Sequence, residues 1–438
     1  MRKVFAIILS AALLLGCFAA STSVGASASA AEPAVSRVVT TFYGPGAQAF
    51  HWFTDDKAES AVTIGGERYT GTSKQYKGAW AHSVVAEGLK PGKSYSYQIG
   101  DYKGSFQTDP GPGKPMSFIV GGDPQATNRD GFTLSGNIFK VAFREYPKAD
   151  FYAILGDLTQ NSNNAQWDMF FEEFADINAK APLVPVSGNH DGSFHWNWFR
   201  NIFTLKEQPN YTNLTGVYYS FDYGDAHIAV LNTNDWFHIG RAQRNWLIND
   251  MNTSNAKWKI IMTHKPVYFH YEIAPDVMAL RRTLGPVCDA LGIDLALSGH
   301  KHSYTRSAPL KGQGIKDYER CEEPLFTDLD GTIYAMPGAA GGRGGDSPSF
   351  ANIEIKGDTL VYRAHIYDRA TDSARLRDEF TIAKTKPAAP AEPFDPLPTG
   401  PLRTLPGQLL EFASRLAVLV VVDYTFRGLF IELIKDLF

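Results

Sequence analysis

The 438-residue sequence has few cysteines and little net charge. It contains only three cysteines, and its formal charge at pH 7 is −4. Because Cys17 lies in an N-terminal apolar run, only Cys288 and Cys321 remain for a disulfide, which excludes a disulfide-rich scaffold. Cys288 lies in an apolar helical pattern typical of a buried position, so whether the two pair stays open. The near-neutral charge gives no basic surface, so we expect no extended nucleic-acid binding.

The first thirty residues have the pattern of an export signal. Arg2-Lys3 precedes an apolar run from residue 4 to about residue 15, and Ala28-Ser29-Ala30 matches an A-x-A cleavage site. We therefore predict that residues 1–30 are a signal peptide and that the protein is secreted or lies at the cell surface. The segment Leu14-Leu15-Gly16-Cys17 also resembles a bacterial lipoprotein box, so anchoring through a lipidated Cys17 is the alternative to release.

The C-terminal end lacks a long uninterrupted hydrophobic run. Residues 386–407 are rich in proline and have no apolar periodicity, which predicts a linker. Residues 408–438 are apolar but interrupted by charges, and their longest apolar run, 416–422, is far shorter than the ~20 residues of a membrane-spanning helix. We predict an amphipathic helix that docks on the protein or a partner, lies in a membrane interface, or anchors the chain in a membrane.

Residues 33–110 predict a small, all-β sandwich. Short β-branched or alternating runs are separated by turn signals such as Gly65-Gly66 and Pro91-Gly92. The predicted strands are 38–40, 49–53, 61–64, 81–85, 95–99 and 104–107. The run Gly88-Leu89-Lys90-Pro91-Gly92-Lys93-Ser94-Tyr95-Ser96-Tyr97 resembles a corner of fibronectin type III-like domains. A linker rich in proline and glycine, residues 109–115, ends this domain.

Strand and helix patterns alternate from residue 115 to residue 385, which predicts a layered α/β domain. The predicted strands are 116–120, 151–155, 183–186, 218–221, 227–231, 257–263, 294–298, 332–336, 350–356, 359–367 and 379–382. The predicted helices are 138–146, 165–177, 242–251 and 277–291. The chain length and the 44% hydrophobic content are sufficient for domains of this size.

Aspartate, asparagine and histidine side chains, which can bind a metal ion, follow closely after five of these apolar strands. In chain order they are Asp123, Asp157, Asn189, His264, His300 and His302. Two ions ~3.5–4 Å apart need one carboxylate shared between them, and such pairs act on phosphate esters. In an extended stretch, residues i and i+2 share a face, so His300 and His302 can point at one cluster. The sequence therefore predicts a metal centre where these strands end.

The motifs around these residues resemble a known family. They are Gly122-Asp123, Gly156-Asp157, Ser187-Gly188-Asn189-His190-Asp191, Thr263-His264 and Gly299-His300-Lys301-His302. In this order they are similar to those of the calcineurin-like metallophosphoesterases, and more closely to the purple acid phosphatase-like branch. The resemblance covers about residues 33–384. It implies an αββα sandwich behind a fibronectin type III-like domain, with a dinuclear centre at the strand ends.

The resemblance also implies roles for individual residues. Asp123, Asp157 and His302 would hold the first metal ion, and Asp157, Asn189, His264 and His300 the second. His190 would be the outer-sphere acid, with Asp191 orienting it. This sequence departs from the branch in having Gln160 where a tyrosine ligand is usual, and Gln125 where other branches have a histidine. We expect these glutamines to be weak ligands, and the ions to be divalent Fe, Mn or Zn.

The function so implied is hydrolysis of small phosphomonoesters by a metal-activated hydroxide, with His190 donating a proton to the leaving group. A phosphodiesterase acting on nucleotides or lipid headgroups is one alternative. A surface-binding protein on a phosphatase scaffold is another. Four residues in loops near the motifs are predicted to contact the phosphate, namely Arg129, His195, Arg306 and Arg343. Arg306 has a second interpretation, in which it stays inside and satisfies carbonyls at a strand end.

Overall fold

The structure is a computed structural model that describes most of the chain. The described residues are 33–191, 197–206, 217–234, 239–269, 274–312, 320–341 and 348–386. The predicted signal peptide with Cys17, the predicted linker beyond residue 386 and the predicted C-terminal helix lie outside these ranges. His195 and Arg343 also lie outside them.

The N-terminal region consists of eight strands. They are β1 (Val35–Gly44), β2 (Ala47–Thr54), β3 (Ala61–Ile64), β4 (Glu67–Thr70), β5 (Thr72–Tyr76), β6 (Ala79–Ala86), β7 (Ser94–Ile99) and β8 (Tyr102–Gln107). They form two four-stranded sheets, β1-β2-β6-β5 and β4-β3-β7-β8. Trp52, Val62, Val84 and Phe106 belong to one core that both sheets share. The predicted set lacks β4 and β5, whose largely exposed, polar residues show no hydrophobic alternation.

The second region contains thirteen strands in two sheets. They are β9 (Met116–Gly121), β10 (Phe151–Ile154), β11 (Leu183–Pro185), β12 (Tyr219–Tyr223), β13 (Ala226–Val230), β14 (Trp258–Thr263), β15 (Leu295–Ser298), β16 (Tyr304–Arg306), β17 (Leu325–Thr327), β18 (Ile333–Pro337), β19 (Ser349–Lys356), β20 (Thr359–Asp368) and β21 (Ser373–Ala383). One sheet has the order β11-β10-β9-β19-β20-β21-β17, and the other β12-β13-β14-β15-β18-β16. Both sheets are mixed, with parallel strands at the centre of the second and at both edges of the first.

Helices cover the outer faces of the two sheets. They are α1 (Arg129–Glu145), α2 (Asn164–Glu173), α3 (Ala175–Asn178), α4 (Asn197–Ile202), α5 (Arg241–Thr253) and α6 (Pro275–Leu291). Side chains of both sheets share one core, which also takes in buried residues of α1 and α2. The helices α5 and α6 pack on the other side of the second sheet, where Leu247 and Leu284 belong to one buried cluster with Ile261. The predicted αββα sandwich is therefore confirmed.

Two helix boundaries differ from the sequence prediction for local reasons. Helix α1 begins at Arg129 rather than at residue 138, because the side chain of Asn128 caps it by accepting a hydrogen bond from Gly131 N. The predicted helix 165–177 is divided into α2 and α3 at Phe174, whose backbone leaves helical geometry. The strands β16 and β17 are only three residues long, too short for a periodicity signal.

The N-terminal sheets pack directly on the second region. The Phe42 ring stacks on Phe221, with the ring centroids 4.8 Å apart, and meets the edge of Phe151 at 5.2 Å. Polar contacts hold the linker between the regions, since Gly224 N donates to Asp109 Oδ1 and Gly113 N donates to Asp225 Oδ1, both at 2.7 Å. These contacts leave the linker little freedom to act as a hinge.

Both cysteines in the described ranges, Cys288 and Cys321, are free thiols. Cys288 is fully buried, as its helical pattern predicts, and burial raises the pKa of its thiol to about 12. None of the helices in the described ranges is both long enough and apolar enough to cross a membrane.

Candidate metal centre

The candidate ligands lie where parallel strands of the two sheets end. In the first sheet β9, β10 and β11 run parallel, and the loops after them carry Asp123, Asp157 and Asn189. In the second sheet β14 and β15 run parallel, and the residues after them include His264 and His300. Carboxyl ends of parallel strands lie at one edge of a sheet, and here the two edges meet. His300 N donates to both carboxylate oxygens of Asp123, at 2.9 and 3.0 Å.

Two groups of side chains have the spacing of metal ligands. One consists of Asp157, His264 and His300, and the other of Asp123, Asp157 and His302; within each group the ligand atoms lie within 4.8 Å of one another. Asn189 adds its Oδ1, which is 2.9 Å from His264 Nε2. Asp157 belongs to both groups, which is the position of a carboxylate shared between two ions.

The hydrogen bonds of His264 show which of its nitrogens faces the cluster. Its Nδ1 lies 2.8 Å from Leu155 O, an acceptor that requires the proton on Nδ1. The other nitrogen, Nε2, faces Asn189 Oδ1 at 2.9 Å, Asp157 Oδ2 at 3.3 Å and His300 Nδ1 at 3.2 Å. Electron-rich atoms therefore converge from several side chains, and a cation between them satisfies all of them at once.

The ionisation of these groups also indicates a site for positive charge. Burial raises the pKa of Asp123 well above its usual value. Burial lowers the pKa of His264, but the neighbouring Asp157 and Asp123 outweigh it and raise that pKa to about 9. Burial would raise the pKa of Asp157 as well, but His264 holds it at about 2. Buried carboxylates of this kind need a compensating cation, so the residues present fit a metal ion.

The backbone around the ligands adopts geometry that L-residues rarely take. Asp123, Asp157, His300 and His302 have φ between 52° and 72°, in the left-handed region. Such conformations cluster at functional sites, where the surrounding structure holds them. Gly188 allows the loops to approach closely, because a Cβ there would lie 2.0 Å from Asp157 N.

His190 lies beside the cluster and is held from two sides. Its main-chain N donates to Asp157 Oδ1 at 2.8 Å. Its ring Nδ1 lies 2.9 Å from both the main-chain O and the side-chain Nε2 of Gln160. Gln125 in turn donates from Nε2 to Gln160 Oε1 at 3.1 Å. Sequence analysis missed this arrangement, since no motif links the two glutamines to the histidine.

Asp191 follows His190 in the same loop, and its side chain is fully buried. Its carboxylate accepts hydrogen bonds from Gly188 N at 2.9 Å and Thr159 N at 3.1 Å. Burial and the nearby Asp157 raise the pKa of Asp191 to about 7. Asp191 therefore holds the backbone of these loops, and the described contacts of the His190 ring are with Gln160. The predicted role of Asp191 in orienting His190 stays a prediction.

Two of the side chains predicted to contact the phosphate, Arg306 and Arg129, bond to other protein groups in the structure. The Arg306 side chain is only 1% exposed; its Nε is 2.6 Å from Asp378 Oδ2, and its guanidinium donates to Glu323 O at 2.8 Å. In the structure Arg306 therefore bonds to Asp378 and Glu323, and its predicted contact with phosphate stays a prediction. Arg129 is half-exposed, and its guanidinium pairs with Glu172 and Glu173 of α2.

Comparison with known proteins agrees with this geometry. Residues 116–304 match the family profile described as calcineurin-like phosphoesterase. A mouse protein named acid phosphatase type 7 is 25% identical over 344 residues, which cover 68% of this chain and 75% of that protein. An Arabidopsis thaliana protein named probable inactive purple acid phosphatase 1 is 23% identical over 367 residues, or 70% of this chain and 58% of that protein.

The structural comparison supports the same fold. The structure of purple acid phosphatase PPD1 from yellow lupin seeds superposes with a TM-score of 0.68 at 17% identity, and covers 80% of this chain and 75% of that one. Residues 116–304 are thus similar to the calcineurin-like phosphoesterase domain. The similar proteins include some named acid phosphatase and others named purple acid phosphatase.

Proposed function

We propose that the protein hydrolyses phosphate esters with two divalent metal ions, Fe, Mn or Zn. The observation that carries this proposal is the membership of Asp157 in both ligand groups. Asp123 and His302 complete one group, and Asn189, His264 and His300 complete the other. Ions bound there would polarise the phosphoryl oxygens and lower the pKa of water from 15.7 towards ~7.

The protein's own residues would hold and protonate the substrate. His190 stands beside the shared Asp157, which bonds to its main-chain N. From there its imidazole would donate a proton to the departing alkoxide, a contribution of typically ~10²–10⁴-fold. Asp191 fixes the loop that carries it. The predicted phosphate contacts at His195 and Arg343 stay predictions.

A small phosphomonoester is the substrate class that we favour, because the mouse relative is named an acid phosphatase. The test compares turnover of p-nitrophenyl phosphate and bis(p-nitrophenyl) phosphate by protein supplied with Zn²⁺, Mn²⁺ or Fe²⁺. Faster turnover of the monoester supports the proposal. Faster turnover of the diester favours the alternative of a phosphodiesterase that acts on nucleotides or lipid headgroups.

A binding protein on a phosphatase scaffold is the second candidate. Two observations favour it: a relative is named probable inactive, and the Gln160 amide, at the position of a usual ligand, bonds to other side chains. Elemental analysis, an absorption spectrum and phosphomonoester turnover on one sample distinguish the candidates. Two metal ions per chain with turnover and no visible band support the hydrolase. One ion or none, without rescue by added metal, supports the binding protein.

We also propose that the protein is exported, on the basis of its N-terminal sequence. Fractionation of the producing cells distinguishes release from anchoring at Cys17. A Cys17→Ser variant that moves from the membrane fraction to the medium indicates lipidation. Retention of the native chain in the cytoplasm contradicts the proposal.

A further inference from the structure

Gln160 occupies the position of the usual tyrosine ligand, but both ends of its amide bond to other side chains. Its Oε1 accepts a hydrogen bond from Gln125 Nε2 at 3.1 Å, and its Nε2 lies 2.9 Å from His190 Nδ1. Both polar atoms of the Gln160 amide therefore contact other side chains, one of which is the imidazole beside the metal centre.

A second group of Gln160 meets the same ring nitrogen. Its main-chain O is also 2.9 Å from His190 Nδ1. An amide N–H donates to Nδ1 when that nitrogen has a lone pair, and a carbonyl O accepts from Nδ1 when it carries the proton. Gln160 thus provides a partner for Nδ1 in either tautomer, so it can hold the ring in one orientation.

Gln160 is itself held in place by Gln125. Gln125 is 2% exposed, and its main-chain N donates to Asp157 O at 2.9 Å. Its side-chain Oε1 is buried and has no hydrogen-bond partner among the described residues. Gln125 therefore contacts Gln160 through Nε2 and keeps Oε1 without such a partner among the described residues. Weak metal ligation by either glutamine stays a prediction.

We propose that Gln160, oriented by Gln125, is a positioning residue for His190, which fixes the imidazole with Nε2 towards the phosphate ester. This role rests on the proposed hydrolysis. His190 is then anchored at its main chain by Asp157 and Ser162, and at its ring by Gln160. Small displacements of a positioned group strongly reduce the rate of the step it serves.

The test compares Gln160→Met with the native protein on two substrates. An alkyl phosphate such as glycerol 2-phosphate needs a proton on its leaving group, and p-nitrophenyl phosphate needs it far less. We expect kcat on the alkyl phosphate to fall ~10-fold, with a smaller loss on the aryl phosphate. KM should change less than ~2-fold, and the metal content by elemental analysis should be unchanged.

The same change in a His190→Ala background is the decisive control. If Gln160 acts through His190, Gln160→Met has no further effect there. An equal loss in both backgrounds, or loss of bound metal in Gln160→Met alone, overturns the proposal. Gln98→Met, on β7 of the N-terminal sandwich, is a matched substitution that should leave every measurement unchanged.

A measurement of the ¹⁵N resonance of His190 needs no substrate turnover, so it tests the positioning role separately from the proposed hydrolysis. The ¹⁵N resonance of His190 Nδ1 in the zinc-loaded protein should shift in Gln160→Met, because the ring nitrogen loses its amide donor. An unchanged resonance overturns the positioning role. A shifted resonance in a protein that hydrolyses no phosphate ester supports the contact and refutes only the hydrolysis.

Discussion

At the scale of single residues, close approach of loops explains why glycines stand beside the ligands. A Cβ on Gly156 would lie 2.3 Å from His264 Nδ1, and one on Gly299 would lie 2.8 Å from Asp123 Oδ2. Atoms that are not bonded cannot approach so closely, so a larger residue at either position displaces a ligand. The glycines of the motifs are therefore part of the metal centre, although they provide no ligand atom.

Gly188→Ala tests this argument. The added Cβ would lie 2.0 Å from Asp157 N and 2.1 Å from Asp157 Oδ1, so it must displace the shared carboxylate. We expect the free energy of unfolding to fall by about 2–3 kcal/mol and bound metal to decrease, as measured by thermal unfolding and elemental analysis. Gly240→Ala is the control, because a Cβ there meets no atom within 4 Å. Equal metal content in both variants contradicts the prediction.

At the scale of elements, one histidine connects two strands and a helix away from the metal centre. His227 of β13 lies between Asp222 of β12, at 2.7 Å, and Asp250 of α5, at 2.8 Å. Burial opposes the charge of His227, but both carboxylates outweigh it and raise its pKa to about 9. The imidazole is therefore charged at neutral pH and connects the strands β12 and β13 to the helix α5.

The raised pKa predicts how His227 contributes to stability as pH changes. Because the folded-state pKa of His227 lies above the unfolded value of about 6.5, its charged imidazole stabilises the fold fully below about pH 6.5. This stabilisation is lost as the pH rises through about 9. His227→Gln should therefore lower the free energy of unfolding by ~1–2 kcal/mol at pH 6, and by much less at pH 10.

Urea unfolding of the native protein and His227→Gln across this pH range measures the difference. Glu59→Gln is the control, because it removes an exposed pair with Arg68 that should contribute less than ~1 kcal/mol. A difference for His227→Gln that stays constant from pH 6 to pH 10 would refute the linkage.

At the scale of the whole molecule, the N-terminal sandwich and the αββα domain share a core. Val39, Phe42 and Phe53 of the sandwich belong to the same buried cluster as Phe151 and Phe221. Across this interface Arg37 also pairs with Asp168 at 2.7 Å. Because apolar burial is continuous across the two regions, we expect them to unfold together.

Phe42→Ala tests the shared core. Removing a buried aromatic ring should cost ~3 kcal/mol and lower the temperature of a single calorimetric transition. Leu376→Ala, at a side chain that is 52% exposed, should change stability by less than ~0.5 kcal/mol. Two separate transitions, of which Phe42→Ala moves only one, would show that the regions fold independently.

Much of the fold and of the candidate ligand set could be read from the sequence. Every predicted strand from residue 116 to residue 383 overlaps a strand of the structure, because buried strands are continuous apolar runs. The six candidate ligands each follow such a run, and strand ends converge in a parallel sheet. Short or exposed strands such as β5 and β17 lack this signal and were not predicted.

Contacts between distant parts of the chain were decided only by the tertiary structure. Gln160 and His190 are 30 positions apart, and Arg306 and Asp378 are 72 apart, yet each pair bonds directly. The sequence predicted a weak metal ligand at Gln160, and left a phosphate contact and a buried role open for Arg306. Sequence periodicity determined the layers and placed the ligands at the strand ends, because both depend on local burial. The partners of Gln160 and Arg306 depend on how segments far apart in the sequence pack together, which no local pattern encodes.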